Sequence, residues 1–281
     1  MNSKTRRYIG FLYVAPALAF VLVFTAYPLA QMAWMSLHNW SLIAPKKYIG
    51  LGNFAKAWND PQVWTSLGFT LKYTLLITPI LMVLGYLVAL LTAQNRPLRQ
   101  FTRSVVFAPV VIGLGASSLL WYWLFSYDFG LIARPVVWFG ADADISMWAV
   151  IVSIVWKVVG FGTILFVAAI HAVPSEIGEA AMVDGASYWQ RVRRITLPLT
   201  AKTILLVTLV SVIGSLLAFD QFYIMTAGQP RNMTATSVFL IYLNSFPYLK
   251  LGYGAALSLI LAAIILVCTA LQMLLSRRSH A

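Results

Sequence analysis

The sequence predicts an all-α integral membrane protein with six transmembrane helices and a helix-turn-helix between spans 4 and 5. Of its 281 residues, 60% are hydrophobic and only 10% are charged, whereas soluble domains carry about 25% charged residues. Six apolar stretches reach the length of about 20 residues that crosses a bilayer. One polar segment, residues 174–198, separates the fourth stretch from the fifth.

The predicted spans follow the apolar stretches along the chain. They cover about residues 10–36, 67–93, 104–126, 147–173, 202–226 and 252–275. The first follows a basic N-terminus, but its apolar run is far longer than the roughly 7–15 residues of a secretory signal, so we expect an uncleaved span. The gaps between spans are too short for a separate fold, and we therefore predict a single transmembrane domain over residues 1–281.

The basic residues predict the orientation. If the N-terminus is cytoplasmic, twelve lysines and arginines lie in inner segments and six in outer segments. Inner loops carry the excess of basic residues, so both termini and segment 174–198 are expected in the cytoplasm. A net charge of +12 is also typical of nucleic-acid binding, but these residues follow the loops rather than one patch, and no nucleic-acid partner is expected.

The polar segment begins with a predicted short helix. Ser175 is expected to cap its N-terminus, which places Glu176 in the first turn, where a carboxylate interacts favourably with the helix dipole. Asp184 and Gly185 are expected to end the helix, because glycine adopts the left-handed conformation without a Cβ penalty.

A second short helix is predicted to complete this segment. Ser187 followed by Gln190 is typical of a capping box. Leu197 and Pro198 are expected to close the helix, because a residue before proline avoids the α region. The two helices and their bend predict a docking surface, although an amphipathic connector with a cluster of inner-side arginines is the alternative.

Three motifs in the segment carry a family resemblance: EAA, DGA and I-x-LP. With them the sequence resembles the permease subunits of binding-protein-dependent ABC importers, of the carbohydrate-uptake type. The resemblance implies the type I permease fold, and a first loop helix that docks into a cleft of the ATPase subunit. The implied ATPase-coupling residues are Glu179, Ala180, Ala181, Asp184, Gly185, Ile195, Leu197 and Pro198.

The same resemblance implies the partners and the location. They are a second, homologous permease in a heterodimer, two ATP-binding subunits, an extracytoplasmic solute-binding protein and the lipid bilayer of a bacterial inner membrane. This chain is expected to bind no cofactor, with ATP and Mg on the partner subunits. A sugar is the first expected cargo, and a polyol or glycerol-3-phosphate the next.

Span 4 supplies three candidate pathway residues. Lys157 lies roughly 15 Å along the span at 1.5 Å per residue, near the bilayer midplane, where a charge costs about 2.5–3.5 kcal/mol. We expect it to face a polar interior or a partner, and a structural pair or a snorkelling lysine is the alternative. Trp156 and Phe161 flank it with aromatic faces that suit a sugar ring, although such residues are more often packing residues.

Span 5 supplies four weaker candidates. Asp220 and Gln221 are predicted near its outer end, as a gate or partner contact or as a solvated helix end. Ser211 and Ser215 share one helical face, in a small-x-x-x-small pattern that more often serves helix packing than ligand binding.

The sequence predicts a subunit that is not an enzyme. It contains no G-x-x-x-x-G-K-[ST] phosphate-binding loop, no nucleophile–base motif and no metal-ligand spacing among its three histidines, so no catalytic or metal residue is assigned. An ion-coupled secondary transporter is the main alternative, but it would be expected to show an internal repeat and paired intramembrane charges. A membrane scaffold or enzyme subunit is the third.

Overall fold

A computed structural model describes residues 13–43, 45–94, 96–128, 130–132 and 136–278, the last four without their side chains. In this part of the chain a short hairpin of β1 (His38–Asn39) and β2 (Lys47–Tyr48) accompanies a set of helices. In chain order the helices are α1 (Tyr13–Ser36), α2 (Gly52–Asn59), α3 (Pro61–Thr92), α4 (Pro97–Val111), α5 (Leu114–Phe125), α6 (Ala143–His171), α7 (Ser175–Val183), α8 (Tyr188–Leu199), α9 (Ala201–Leu216), α10 (Asp220–Met225), α11 (Ser237–Ser245) and α12 (Leu251–Arg278).

Four of these helices are long and apolar enough to cross a membrane, and up to six crossings result if each of two bent helix pairs is one span. The continuous ones are α1, α3, α6 and α12, which correspond to the predicted spans 1, 2, 4 and 6. Helix α3 begins at Pro61, six residues before the predicted boundary. Residues 10–12 of the predicted first span lie outside the described residues.

The third predicted span, residues 104–126, is a bent pair of helices. Helix α4 already begins at Pro97, and it meets α5 at an angle of 99° across Ile112 and Gly113. Both of these residues have extended ψ values, 136° and 144°. The break leaves backbone carbonyls without helical partners, so other parts of the chain must supply hydrogen-bond donors to these carbonyls.

The fifth predicted span, residues 202–226, is also broken. Helix α9 ends at Leu216 and α10 begins at Asp220. The Thr236 hydroxyl donates to the carbonyl of Ala218 inside this break, at 2.6 Å. A side chain that follows the span in sequence therefore stabilises the interruption.

The chain divides into two compact units, the first comprising residues up to Val63 together with Leu240–Ala263. In it, the Asn53 amide donates to the carbonyls of Ser36 and His38, at 2.8 and 2.9 Å, and so joins α2 to the end of α1. The Tyr253 hydroxyl donates to Asp60 at 2.8 Å.

The second unit comprises Trp64–Phe239 and the residues from Ile264 onwards. Its main core lies where α3, α6 and α10 meet. Phe222 is fully buried there and makes edge contacts with the rings of Phe69 and Tyr73, at centroid distances of 5.2 and 5.0 Å. The single domain over residues 1–281 stays a prediction.

Candidate functional site

Helix α7 begins one residue earlier than a Ser175 cap would allow. Pro174 occupies the N-cap position with an extended ψ of 131°, and no side chain caps the helix. Ser175 is the first helical residue, so the prediction that it caps the helix is wrong. The physical reason is that Pro174 takes the non-helical N-cap conformation itself, so Ser175 falls inside the first turn. Glu176 lies in the first turn, as predicted.

The end of α7 confirms the predicted glycine stop. Gly185 has a φ of +78°. Its N–H donates to the Met182 carbonyl at 3.0 Å, and the Ala186 N–H donates to the Ala181 carbonyl at 2.9 Å. These two bonds form a Schellman motif, which fixes the direction in which the chain leaves α7.

Helix α8 begins with the predicted capping box. The Ser187 N–H donates to Gln190 Oε1 at 2.8 Å, and the Gln190 N–H donates to the Ser187 hydroxyl at 3.4 Å. The predicted end at Leu197 and Pro198 is wrong, because the helix continues to Leu199.

A π-helical turn explains this longer helix. In Val192–Thr196 the hydrogen bonds shift by one residue, and the Leu197 N–H donates to the Val192 carbonyl. Pro198 is the second residue of the helical segment Leu197–Leu199, which follows this turn. The chain bends by 69° between α8 and α9 instead, at Thr200.

The predicted coupling residues lie mostly on an exposed surface. Helix α7 has no buried residue, and Glu179, Ala180, Asp184 and Gly185 are exposed, while Ala181 is half-buried. Leu197 and Pro198 are exposed on α8. Three apolar side chains of α7 are also exposed: Ile177, Met182 and Val183.

A small cleft of about 180 Å³ lies between the start of α7 and α8. Ile195 lines it together with Gly178 and Tyr188. Ile195 thus faces the joint between the two loop helices rather than the exposed surface of α7.

A cavity of about 210 Å³ lies deeper in the second unit, among α3, α5, α6, α9 and α10. Four of the predicted pathway residues meet there: Phe161, Ser211, Ser215 and Gln221. The rest of the lining is Tyr73, Ile77, Leu81, Leu114, Ile154, Val158, Val210 and Gly214.

The polar groups of the cavity are neutral amide and hydroxyl groups. Gln221 is 4% exposed, its side chain forms a hydrogen bond with Tyr73, and its Oε1 accepts no hydrogen bond from any described residue. Ser215 donates to the Val212 carbonyl at 2.9 Å. No lining residue carries a charge at neutral pH.

Tyr73 is the residue that sequence reasoning missed. It is 1% exposed in α3 and brings a phenol group to the cavity. A buried tyrosine hydroxyl usually has a hydrogen-bond partner, so a tyrosine inside the apolar stretch of the second span was the available signal.

Lys157 does not line the cavity. Its ammonium group donates to the carbonyls of Pro109 and Val110 at 3.4 Å each, and to that of Ile112, at the end of α4. The side chain is 7% exposed. Hydrogen bonds of a charged group contribute about 1.5–3 kcal/mol each, which offsets the cost of burying the charge. Lys157 therefore faces the backbone carbonyls at the end of α4.

The two remaining candidates also lie outside the lining of the cavity. Trp156 packs against Trp121 with ring centroids 5.7 Å apart. Asp220 is half-buried in the first turn of α10.

A comparison with known protein families identifies the chain. Residues 73–280 match the model of the binding-protein-dependent transport system inner membrane component. The chain belongs to this family. It is therefore a multi-pass membrane permease, the transmembrane subunit of an ABC importer, and not an enzyme.

Curated relatives match this permease over nearly its full length. The trehalose/maltose transport system permease protein MalF of Thermococcus litoralis is 29% identical over 96% of this chain and 94% of the relative. The lactose transport system permease protein LacF of Rhizobium radiobacter is 31% identical over 98% of this chain and 97% of the relative. The trehalose transport system permease protein SugA of Mycobacterium tuberculosis is 31% identical over 92% and 86%.

Solved structures confirm the type I permease fold. A chain of a bacterial ABC transporter that imports the acidic polysaccharide alginate superimposes with a TM-score of 0.86, at 23% identity, over 98% of this permease and 96% of that chain. A chain of a bacterial alginate ABC transporter in complex with an alginate pentasaccharide-bound periplasmic protein superimposes with a TM-score of 0.85, at 22% identity, over 98% of this permease and 96% of that chain.

Proposed function

We propose that this permease carries an uncharged mono- or oligosaccharide. The observation that supports this most directly is the cavity among α3, α5, α6, α9 and α10. It combines the ring of Phe161, which is 40% exposed, with the Gln221 amide and two serine hydroxyls. An aromatic face beside a few hydrogen-bonding groups suits a sugar ring, whose faces are apolar and whose edges carry hydroxyls. The names of the curated relatives, which include maltose, lactose and trehalose systems, support the same cargo class.

The charge of the cavity favours a neutral solute over glycerol-3-phosphate. An anion in an apolar cavity needs a cation or several donors to replace its hydration. Lys157 is the deep cation of span 4, and its ammonium group is bonded to the carbonyls at the end of α4. A polyol would find the same hydroxyl and amide groups, but it has no ring to lie against Phe161.

The volume of the cavity supports a second permease in the assembly. At about 210 Å³, it is smaller than the roughly 300–1,000 Å³ of ordinary ligand pockets. This cavity therefore encloses one part of a solute, and we assign the other wall of the path to a homologous permease in a heterodimer.

We assign the exposed surface of α7 to the contact with an ATP-binding subunit, of which the assembly holds two. Val183 is 89% exposed there, next to Asp184 and Gly185. Exposed apolar side chains beside charged ones are typical of an interaction surface. Glu179, Ala180, Ala181, Asp184, Gly185, Ile195, Leu197 and Pro198 are the proposed coupling residues, and ATP and Mg are bound by the partner rather than by this chain.

The excess of basic residues supports cytoplasmic N- and C-termini, with α7 and α8 on the same side as the ATPases. A solute-binding protein would then deliver the sugar at the opposite face. Green fluorescent protein fused after Ala281 should fluoresce and alkaline phosphatase fused there should be inactive; the reverse pattern would contradict this orientation.

The central experiment is purification of the complex through a tag on this chain, followed by reconstitution in proteoliposomes with its binding protein. We expect an ATPase to co-purify, and sugar-loaded binding protein to stimulate both ATP hydrolysis and sugar uptake. A cysteine at Ala180, in a Cys268→Ser background, should cross-link to the ATPase.

Uptake that an ion gradient drives without ATP would instead support a secondary transporter. ATP-driven uptake of an anionic solute, with no response to neutral sugars, would contradict the proposed cargo but not the coupling role of α7.

A further inference from the structure

A lysine ammonium group lies at the point where the third span breaks. Lys157 of α6 donates to the carbonyl oxygens of Pro109, Val110 and Ile112. The last carbonyls of a helix have no partner within that helix, and a cation at this end also interacts favourably with the helix dipole. The lysine therefore satisfies the end of α4 in both respects.

Gly160 holds the same two helices together one turn further along α6. A Cβ at this position would overlap the Val106 carbonyl and the Phe107 backbone. Residues three apart share one face of a helix, so Lys157 and Gly160 both face α4. The end of α4 is thus held by the backbone contact at Gly160 and by the ammonium group of Lys157.

The position of this end decides where α5 begins. Ile112 accepts from Lys157, Gly113 follows, and Leu114 is the first residue of α5 and lines the cavity. Only one residue separates the lysine's acceptor from the cavity wall. The ion pair that the described residues form is Lys72 with Asp144, so carbonyl groups rather than a carboxylate hold Lys157.

We propose that Lys157 is a positioning residue for transport: its ammonium group fixes the break between α4 and α5 and so keeps Leu114 at the cavity wall. This inference rests on the proposed role of the cavity as the path of the sugar. Lys157 itself touches no solute; it acts through Ile112 and Leu114.

The test uses Leu114→Cys as a thiol reporter in the Cys268→Ser background, in the reconstituted complex without sugar. Its rate of reaction with a water-soluble methanethiosulfonate is measured with and without Lys157→Met. We expect about a tenfold faster reaction, because the hydrogen bonds of a charged group are among the stronger ones and their loss frees the half-buried reporter. The KM for uptake should rise with a smaller change in kcat.

Two variants separate this role from a general loss of stability. Lys157→Arg keeps a cationic donor and should restore the slow rate of labelling. Lys72→Met removes an exposed lysine from the neighbouring helix α3 and should leave the rate unchanged.

Labelling of the Lys157→Met protein at the original rate would overturn the proposal. If that variant does not insert, Gly160→Ala provides the second measurement, because its Cβ displaces the end of α4. An unchanged labelling rate in the Gly160→Ala protein would overturn the proposal equally. A separate measurement asks whether sugar protects the reporter from labelling in the protein with Lys157 intact. A lack of protection would contradict the role of the cavity as the sugar path, but it would not bear on the role of Lys157.

Discussion

The hydroxyl oxygens of Tyr86 and Thr200 lie 2.9 Å apart, and this contact joins α3 to the bend between α8 and α9. Thr200 also donates to the Thr196 carbonyl at 2.8 Å. Helix α3 carries Tyr73 in the cavity wall. We therefore expect this buried hydrogen bond to take part in coupling the loop helices to the cavity.

The first prediction concerns this contact. Tyr86→Phe should lower the number of sugar molecules taken up per ATP hydrolysed by roughly two- to tenfold, the equivalent of one buried hydrogen bond of about 0.5–1.5 kcal/mol. Uptake and ATP hydrolysis are measured in the same proteoliposomes. Tyr122→Phe, which removes the hydroxyl of a more exposed tyrosine, is the matched control, and an equal loss in both variants would contradict the prediction.

The second prediction concerns the left-handed glycine of the coupling loop. Gly185→Val should abolish most sugar uptake while the protein still inserts, because a β-branched residue at a φ of +78° is strained by about 1–3 kcal/mol. A Cβ there meets no atom within 4 Å, so the expected cost is conformational rather than steric.

The matched control at this position is Gly185→Asn, because asparagine tolerates the left-handed region. It should keep most of the uptake. Normal uptake by the valine variant would show that the direction in which the chain leaves α7 does not matter for coupling.

The third prediction concerns the space inside the cavity. Gly214 lines it, and an added Cβ there meets no atom within 4 Å. Gly214→Leu should therefore fold, fill part of the roughly 210 Å³ and reduce the rate of sugar uptake by about tenfold or more. Gly68 is equally open but lies outside the lining, so Gly68→Leu should leave uptake intact. Equal uptake by the two variants would exclude this cavity from the path.

The fourth prediction concerns Gln221, whose Oε1 is buried without a hydrogen-bond donor from the described residues. Replacing such a group by an apolar one relieves a desolvation cost of about 1–3 kcal/mol. Gln221→Leu also removes the hydrogen bond to the buried Tyr73 hydroxyl, so the melting temperature of the complex should change little. If a sugar hydroxyl donates to this oxygen, the same variant should raise the KM for uptake by about tenfold.

Gln272 provides the matched control, because its Oε1 is also buried without a donor and it does not line the cavity. Gln272→Leu should raise the melting temperature without changing the KM. An unchanged KM in Gln221→Leu would remove Gln221 from the sugar path.

Features that depend on short stretches of chain were predictable from the sequence. The apolar stretches located the continuous helices α3, α6 and α12 to within six residues at each end. Gly185 and the Ser187–Gln190 pair marked helix ends because their bonds join residues three to five positions apart. The predicted Ser175 cap was wrong because the extended Pro174 takes the N-cap position. The predicted end at Pro198 was wrong because a π turn lets the helix continue past it.

By itself the sequence determined that the chain is a membrane protein, where its apolar stretches lie and how the loop between spans 4 and 5 is built, because hydrophobicity and capping act over a few residues. Only the tertiary structure decided where spans 3 and 5 break, and which side chains meet in the cavity. The physical reason is that a broken helix exposes carbonyls that distant side chains must satisfy: Lys157 reaches Ile112, and Thr236 reaches Ala218. The same folding turned Lys157 away from the cavity and brought Tyr73 and Gln221 into it.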